Sequence, residues 1–290
     1  MVVCDAALGG SSLSWTLVEP TVSQVTRICT YDRAGFGWSD AGPLPRTAGR
    51  IADELYTALS LSSIRGPFVL VGHSFGGLVM RLFTARHRED VAALVLIEPA
   101  VPEDWVDPSP NLRAHMARGI RLCGYGTVAA RLGVARAVAL LASMGALTAA
   151  RAIVKVVSRG GLQREDEGIL APIWRLPPQV RRLLRQMWIQ PKFFAALRSQ
   201  IEAVCESATE VLREAPPNYG NLPLIVITGQ DADERRLRAD ALFARSSSRG
   251  RHVLAPNSGH WVPLDAPHVV SDAIIAVVRD VQQSSLGHHV

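Results

Sequence analysis

The pentapeptide Gly72-His73-Ser74-Phe75-Gly76 directly follows the apolar run Phe68 to Val71 and leads into a helical pattern beginning near Leu78. A hydroxyl on a strand-to-helix turn stands above the sheet, beside a helix N-terminus that favours developing negative charge. The flanking glycines let strand and helix approach closely. Gly-x-Ser-x-Gly alone is an ordinary turn composition; its place after four apolar residues is what points to a nucleophile at Ser74. A serine hydroxyl attacks poorly near neutral pH unless a base can reach it. His260, in Asn257-Ser258-Gly259-His260-Trp261, is the candidate base. The remaining histidines have duller readings: His73 inside the turn, His87 near a helix end, His115 in a helical insertion, His252 in a strand, His268 at a helix start, His288 and His289 in a tail.

These groups need a scaffold. Short apolar runs bounded by Gly, Pro and Asp occur at Val2 to Cys4, Val25 to Tyr31, Phe68 to Val71, Val91 to Ile97, Leu224 to Thr228 and His252 to Ala255. Continuous rather than alternating apolarity suits strands covered on both faces. Helical patterns at Arg50 to Leu61, Gly76 to Arg86 and Val269 to Val281 alternate with them, which predicts an α/β, doubly wound and mostly parallel sheet. From Val101 to Pro217 the alternation stops, and helices rich in Ala, Leu and Arg are punctuated by Gly124, Gly133, Gly160, Pro172 and Pro177-Pro178. The expected organisation is an α/β core over 1–100 and 218–290 with an inserted helical lid over 101–217.

Together the segments Ala6-Ala7-Leu8-Gly9-Gly10-Ser11-Ser12, Tyr31 to Asp40 (YDRAGFGWSD), Gly72 to Gly77 and Ser258-Gly259-His260 resemble the α/β-hydrolase superfamily, in its serine-nucleophile, esterase-like branch. The family usually has His-Gly before the position of Leu8. The resemblance implies that the backbone N–H groups of Leu8 and Phe75 form an oxyanion hole for a tetrahedral intermediate. It gives Asp32-Arg33 with Gly35 and Gly37 a loop-shaping role. Family members usually begin with a strand hairpin that this sequence lacks; either it is a shortened member or its start lies elsewhere.

The base also needs a carboxylate to fix its tautomer. The family most often supplies it after the strand matching Leu224 to Thr228, where Asp231 and Asp233 stand, although acids there also suit the first turn of a helix. Some members use the end of the strand beside the nucleophile's own, which here is Glu98. A carboxylate closing a buried run must be solvated or paired, which gives Glu98 a reason to face the crevice. Glu98 and Asp231 both stand as candidates.

Composition narrows the rest. Of the 290 residues 48% are apolar, ample for a buried sheet. The formal net charge of +5 comes almost wholly from arginine, Lys155 and Lys192 being the only lysines. Arg175, Arg181, Arg182 and Arg185 read as a solvated helix face; no nucleic-acid module or interleaved aromatic pattern accompanies them. Cys4, Cys29, Cys123 and Cys205 lack C-x-x-C spacing, and no histidine or acid pair has ligand spacing, so neither a redox pair nor a metal site is expected. No G-x-G-x-x-G follows the first strand, so no organic cofactor is expected either. A charged n-region and apolar h-region are absent, and the uncharged run between Arg136 and Arg151 is well short of the roughly 20 residues that span a bilayer. A cytoplasmic chain acting on a small-molecule substrate is expected, its oligomeric state left open. The expected reaction is hydrolysis of an ester, lactone, thioester or amide bond of a small apolar substrate through an acyl-enzyme. A serine at position 74 argues against haloalkane dehalogenase or epoxide hydrolase chemistry, which uses aspartate there. Other readings keep the site but make it a lyase, perhydrolase or carbon–carbon hydrolase, or a ligand receptor without catalysis.

Overall fold

A computed structural model describes residues 1–158 and 171–286; Gly160, His288 and His289 lie outside the described residues. Six strands, β1 (Val2–Asp5), β2 (Ile28–Thr30), β3 (Phe68–His73), β4 (Val91–Ile97), β5 (Leu224–Gly229) and β6 (Gly250–Ala255), form one sheet in the order β2-β1-β3-β4-β5-β6. All five pairings are parallel. The doubly wound expectation therefore holds, and the apolar runs have their cause. Val69, Val71, Val95 and Ile97 bury one face against the C-terminal helix Pro267–Leu286 through Val270, Ile274 and Val277. Their alternates Leu70, Leu94 and Leu96 are fully buried as well, since successive strand side chains point to opposite faces.

β2 is shorter than the sequence suggests. The amides of Val25 and Thr26 donate to the Val22 carbonyl at 3.0 and 3.1 Å, so those residues close a helical turn and pairing starts only at Ile28. The helix Ala48–Leu61 starts two residues before its periodic pattern, because Thr47 caps it by accepting from the Arg50 amide.

The chain divides into two compact units. The first comprises Met1–Tyr31, Thr47–Val106 and Glu206–Val290 and contains the whole sheet; the second comprises Asp32–Arg46 and Asp107–Cys205. Within the first, the helix Val204–Glu214 is stitched to the start of Ala48–Leu61: Ser207 Oγ accepts from the Ala48 amide, and Glu210 from the Gly49 amide, both at 2.9 Å. Residues from 206 onward thus return to the core earlier than position 218. The second unit pairs the helices Pro110–Arg131 and Pro191–Glu202. The loop Asp32–Arg46 belongs with them, because Lys192 Nζ donates to the Ser39 carbonyl and Phe193 packs edge-on against Phe36.

Two of the four thiols are deeply placed. Burial raises the Cys4 thiol well above its usual range and Cys123 to about 11, so neither forms a reactive thiolate near neutrality. Native protein titrated with a thiol reagent at neutral pH therefore leaves Cys4 and Cys123 unmodified until denaturant is added; rapid labelling of either in the folded state would contradict their burial.

Candidate active site

Every candidate residue lies in the first unit. Ser74 sits between β3 and the helix Phe75–Arg86 with φ 54° and ψ −116°. Backbone bonds hold it there: its amide donates to the Ile97 carbonyl at 2.9 Å, and its carbonyl accepts from Ala100 at 3.1 Å and Gly77 at 2.9 Å. The glycines have a steric cause. A Cβ on Gly72 would lie 2.6 Å from the Gly76 carbonyl oxygen, and one on Gly76 2.5 Å from that of Asp5. Four non-glycine residues among those described have positive φ: Ser63, Ser74, Glu98 and Asn257. Each costs about 1–3 kcal/mol in general; Ser74 and Glu98 belong to this site, and Asn257 lies in the loop that leads to His260.

His260 is 46% exposed on a loop after β6. Its Nε2 lies 3.0 Å from Ser74 Oγ, and its Nδ1 lies 3.3 Å from Glu98 Oε2. Since a carboxylate only accepts, Nδ1–H donates to Glu98 and Nε2 is left to accept from the serine hydroxyl. Three groups from three different strand ends thus converge in proton-transfer order.

Glu98 is buried at the end of β4, its other oxygen accepting the Gly229 amide at 2.7 Å. Arg236 Nη2 lies 4.0 Å from Oε2. Burial pushes the carboxyl pKa up, but the hydrogen bonds from His260 and Gly229 and the Arg236 charge outweigh it, leaving Glu98 below the usual carboxylate range. Gly229 must be glycine, because a Cβ there would sit 2.4 Å from the Gly259 carbonyl oxygen, in the loop that carries His260.

Asp231 stands elsewhere. Its amide donates to the Ser258 carbonyl at 3.2 Å, and it lines a crevice of about 350 Å³ shared with Glu98, Val101, Asp104, Arg236 and His260. The imidazole Nδ1 position it would have to occupy is taken by Glu98. Asp233 caps the helix Glu234–Ala244 by accepting from the Arg236 amide at 2.7 Å. Leu8 lies in the turn after β1, closed by Gly10 donating to the Ala7 carbonyl, and Phe75 opens the helix after Ser74. β1 and β3 are neighbours with Asp5 opposite Gly72, which puts the two turns side by side.

Sequence reasoning missed three contributors. His73 is buried and its Nε2 donates to the His260 carbonyl at 2.8 Å, tying the backbone at His260 to the strand that ends before Ser74. Gly229 supplies the amide on Glu98. Arg236 donates to the Pro99 carbonyl and, at 2.7 Å, to buried Asp240, which also accepts from Thr228 Oγ at 2.8 Å. The i, i+4 spacing of Arg236 and Asp240 was a visible signal, but one shared with many solvated helix pairs.

Arg236 gives a pH-dependent prediction. Glu98 has a depressed pKa, so its ionised form is fully present above the ordinary carboxylate value and is lost as pH falls through the lower, folded one. Arg236→Gln removes one cause of the depression and moves that loss upward. The activity deficit of the variant is then larger at about pH 5 than at about pH 8; equal deficits would mean that Arg236 does not act through the Glu98 charge.

A model of the alpha/beta hydrolase family matches residues 2–273. The chain belongs to that family. Among solved structures, it is similar to a thermophilic esterase from Thermogutta terrifontis (TM-score 0.64, 21% identical, 97% of this chain and 89% of that one). It is likewise similar to a putative epoxide hydrolase from Pseudomonas aeruginosa (TM-score 0.68, 17% identical, 97% and 89%). At these identities the likeness is one of fold. A curated relative, an uncharacterized protein of Schizosaccharomyces pombe, is 41% identical over 81 residues, 28% of this chain and 15% of that protein. The bovine (lyso)-N-acylphosphatidylethanolamine lipase is 30% identical over 105 residues, 35% of this chain and 31% of the lipase. The matched segments thus span well under two thirds of these curated relatives. Among the described residues no cluster of three or more His, Cys, Asp or Glu is placed to hold a metal ion, and no single helix is long and apolar enough to cross a membrane.

Proposed function

We propose that this α/β hydrolase cleaves a carboxylic ester or a related acyl bond of a small apolar substrate through an acyl-enzyme on Ser74. The observation that carries this reading is the 3.0 Å approach of Ser74 Oγ to His260 Nε2, with Glu98 behind the other ring nitrogen. His260 takes the hydroxyl proton as Ser74 attacks the acyl carbon. The imidazolium is held by Glu98 and gives that proton to the leaving group. Water then attacks the acyl-enzyme, losing its proton to His260, and Ser74 recovers one on release. Leu8 and Phe75 supply the N–H groups on the oxyanion, and Glu98 rather than Asp231 is the triad acid. The local similarity to a bovine lipase supports acyl chemistry, and a serine rather than an aspartate at position 74 argues against epoxide opening.

A chromogenic series of p-nitrophenyl esters of increasing acyl length, run beside Ser74→Ala, tests the reading. Saturable turnover with a preferred acyl length, abolished in the variant, is expected. No turnover of any ester, or turnover that survives the substitution, would overturn it.

A further inference from the structure

The second unit has an unusual charge distribution. Residues 108–158 contain seven Arg and Lys and no Asp or Glu, more positive charge than the +5 of the whole chain, so the remaining residues together are slightly acidic. In the same stretch Leu132, Leu140, Met144 and Val156 are between 60 and 77% exposed, and the cations Arg131, Arg136 and Lys155 are exposed beside them. The helices Pro110–Arg131 and Val134–Ser143 meet at an 88° bend around Gly133, which has φ 78°, so Leu132 stands at the corner of the bend. Gly145, with φ 82°, makes the next break before the helix Leu147–Val157.

A merely solvated helix face buries its large aliphatic side chains instead of exposing them beside its bases. Arg136, Leu140 and Met144 follow one another at four-residue steps, so a cation and large aliphatic side chains lie along one exposed stripe, and among the described residues no single helix is long and apolar enough to span a bilayer. That combination suits a body lying on a membrane, with apolar side chains entering the acyl boundary and basic groups facing anionic headgroups. Nucleic acid is a poorer match: the only aromatic residue in the stretch is Tyr125, whereas strand-tracking grooves stack bases on aromatic rings.

We propose that this surface of the helical insertion, from Arg131 to Val156, binds a bilayer rich in anionic lipid. The proposal is independent of the catalytic reading, because vesicle binding is measured without turnover. The test is co-flotation of the full chain with vesicles of phosphatidylcholine alone or of equal parts phosphatidylcholine and phosphatidylglycerol, with polyuridylic acid as a soluble polyanion. Two double variants accompany it, Arg136→Glu with Lys155→Glu and Leu140→Ser with Met144→Ser, checked by circular dichroism and thermal melting. Binding to the anionic vesicles at least about tenfold tighter than to phosphatidylcholine is expected, falling with salt. The charge variant loses that preference, and the serine variant binds weakly even at low salt. Equal binding to both vesicles, wild-type binding by both folded variants, or stronger binding to polyuridylic acid overturns the proposal. So does absence of vesicle binding, and a dimer that Leu140→Ser and Met144→Ser dissociate would then assign the surface to a second copy of the chain.

Discussion

Glu98→Gln lowers kcat by about 10⁴-fold at neutral pH, the scale seen when the acid of a serine–histidine–acid arrangement becomes an amide. A neutral carboxamide in place of the carboxylate keeps the shape but no longer fixes which imidazole nitrogen carries the proton, nor stabilises the imidazolium. The Gly229 amide at 2.7 Å retains a partner if the amide oxygen faces it, and then the NH₂ group points at Nδ1 and forces the wrong tautomer. Asp231→Asn is the control. That carboxylate lines the crevice but does not reach Nδ1, so the variant keeps kcat within roughly threefold of wild type. A large loss in Asp231→Asn beside a small one in Glu98→Gln would reverse the assignment. Steady-state kinetics on one soluble ester, with thermal melts to confirm folding, read both outcomes.

Ser74→Ala has the other large effect. Without Oγ there is no covalent route, and only binding and the oxyanion donors remain, so a fall in kcat of at least about 10⁴-fold is expected. KM changes little if the removed hydroxyl contributes mainly to the transition state. His260→Ala lowers the rate by a similar factor, and the double variant is no worse than either single one, since residues acting as one unit are strongly non-additive. Additive losses in the double variant would mean that the two groups work separately despite their 3.0 Å separation.

Much of this arrangement could be read from local sequence. The strand, the Gly-x-Ser-x-Gly turn and the following helix form one continuous segment, so Ser74 was visible in its structural context, and the Ser258-Gly259-His260 loop followed from its place after the last apolar run. Which carboxylate lies beside the His260 ring was not, because the choice between Glu98 and Asp231 depends on where two parallel strands end. Glu98 turns into the crevice through φ 45° and meets an amide from β5, a pairing 131 residues apart in the chain. Asp233 was recognisable as a helix-start residue, and that is its observed role. Arg236 and Asp240 look like any exposed helical ion pair until Thr228 and the Pro99 carbonyl are seen to close around them. β2 shortened for a comparable reason: the apolar run starting at Val25 carries no mark of the helical turn at Val22 that captures its first amides.

The proposed chemistry requires Ser74 to be a nucleophile activated where it stands. The direct measurement is intact-mass and peptide-mapping analysis of the native chain after exposure to a fluorophosphonate. One adduct per chain is predicted, on the peptide carrying Ser74, formed far more slowly in His260→Ala and absent in Ser74→Ala. An unmodified Ser74 in a protein that still turns over esters, or an adduct on another residue that abolishes turnover, would contradict it.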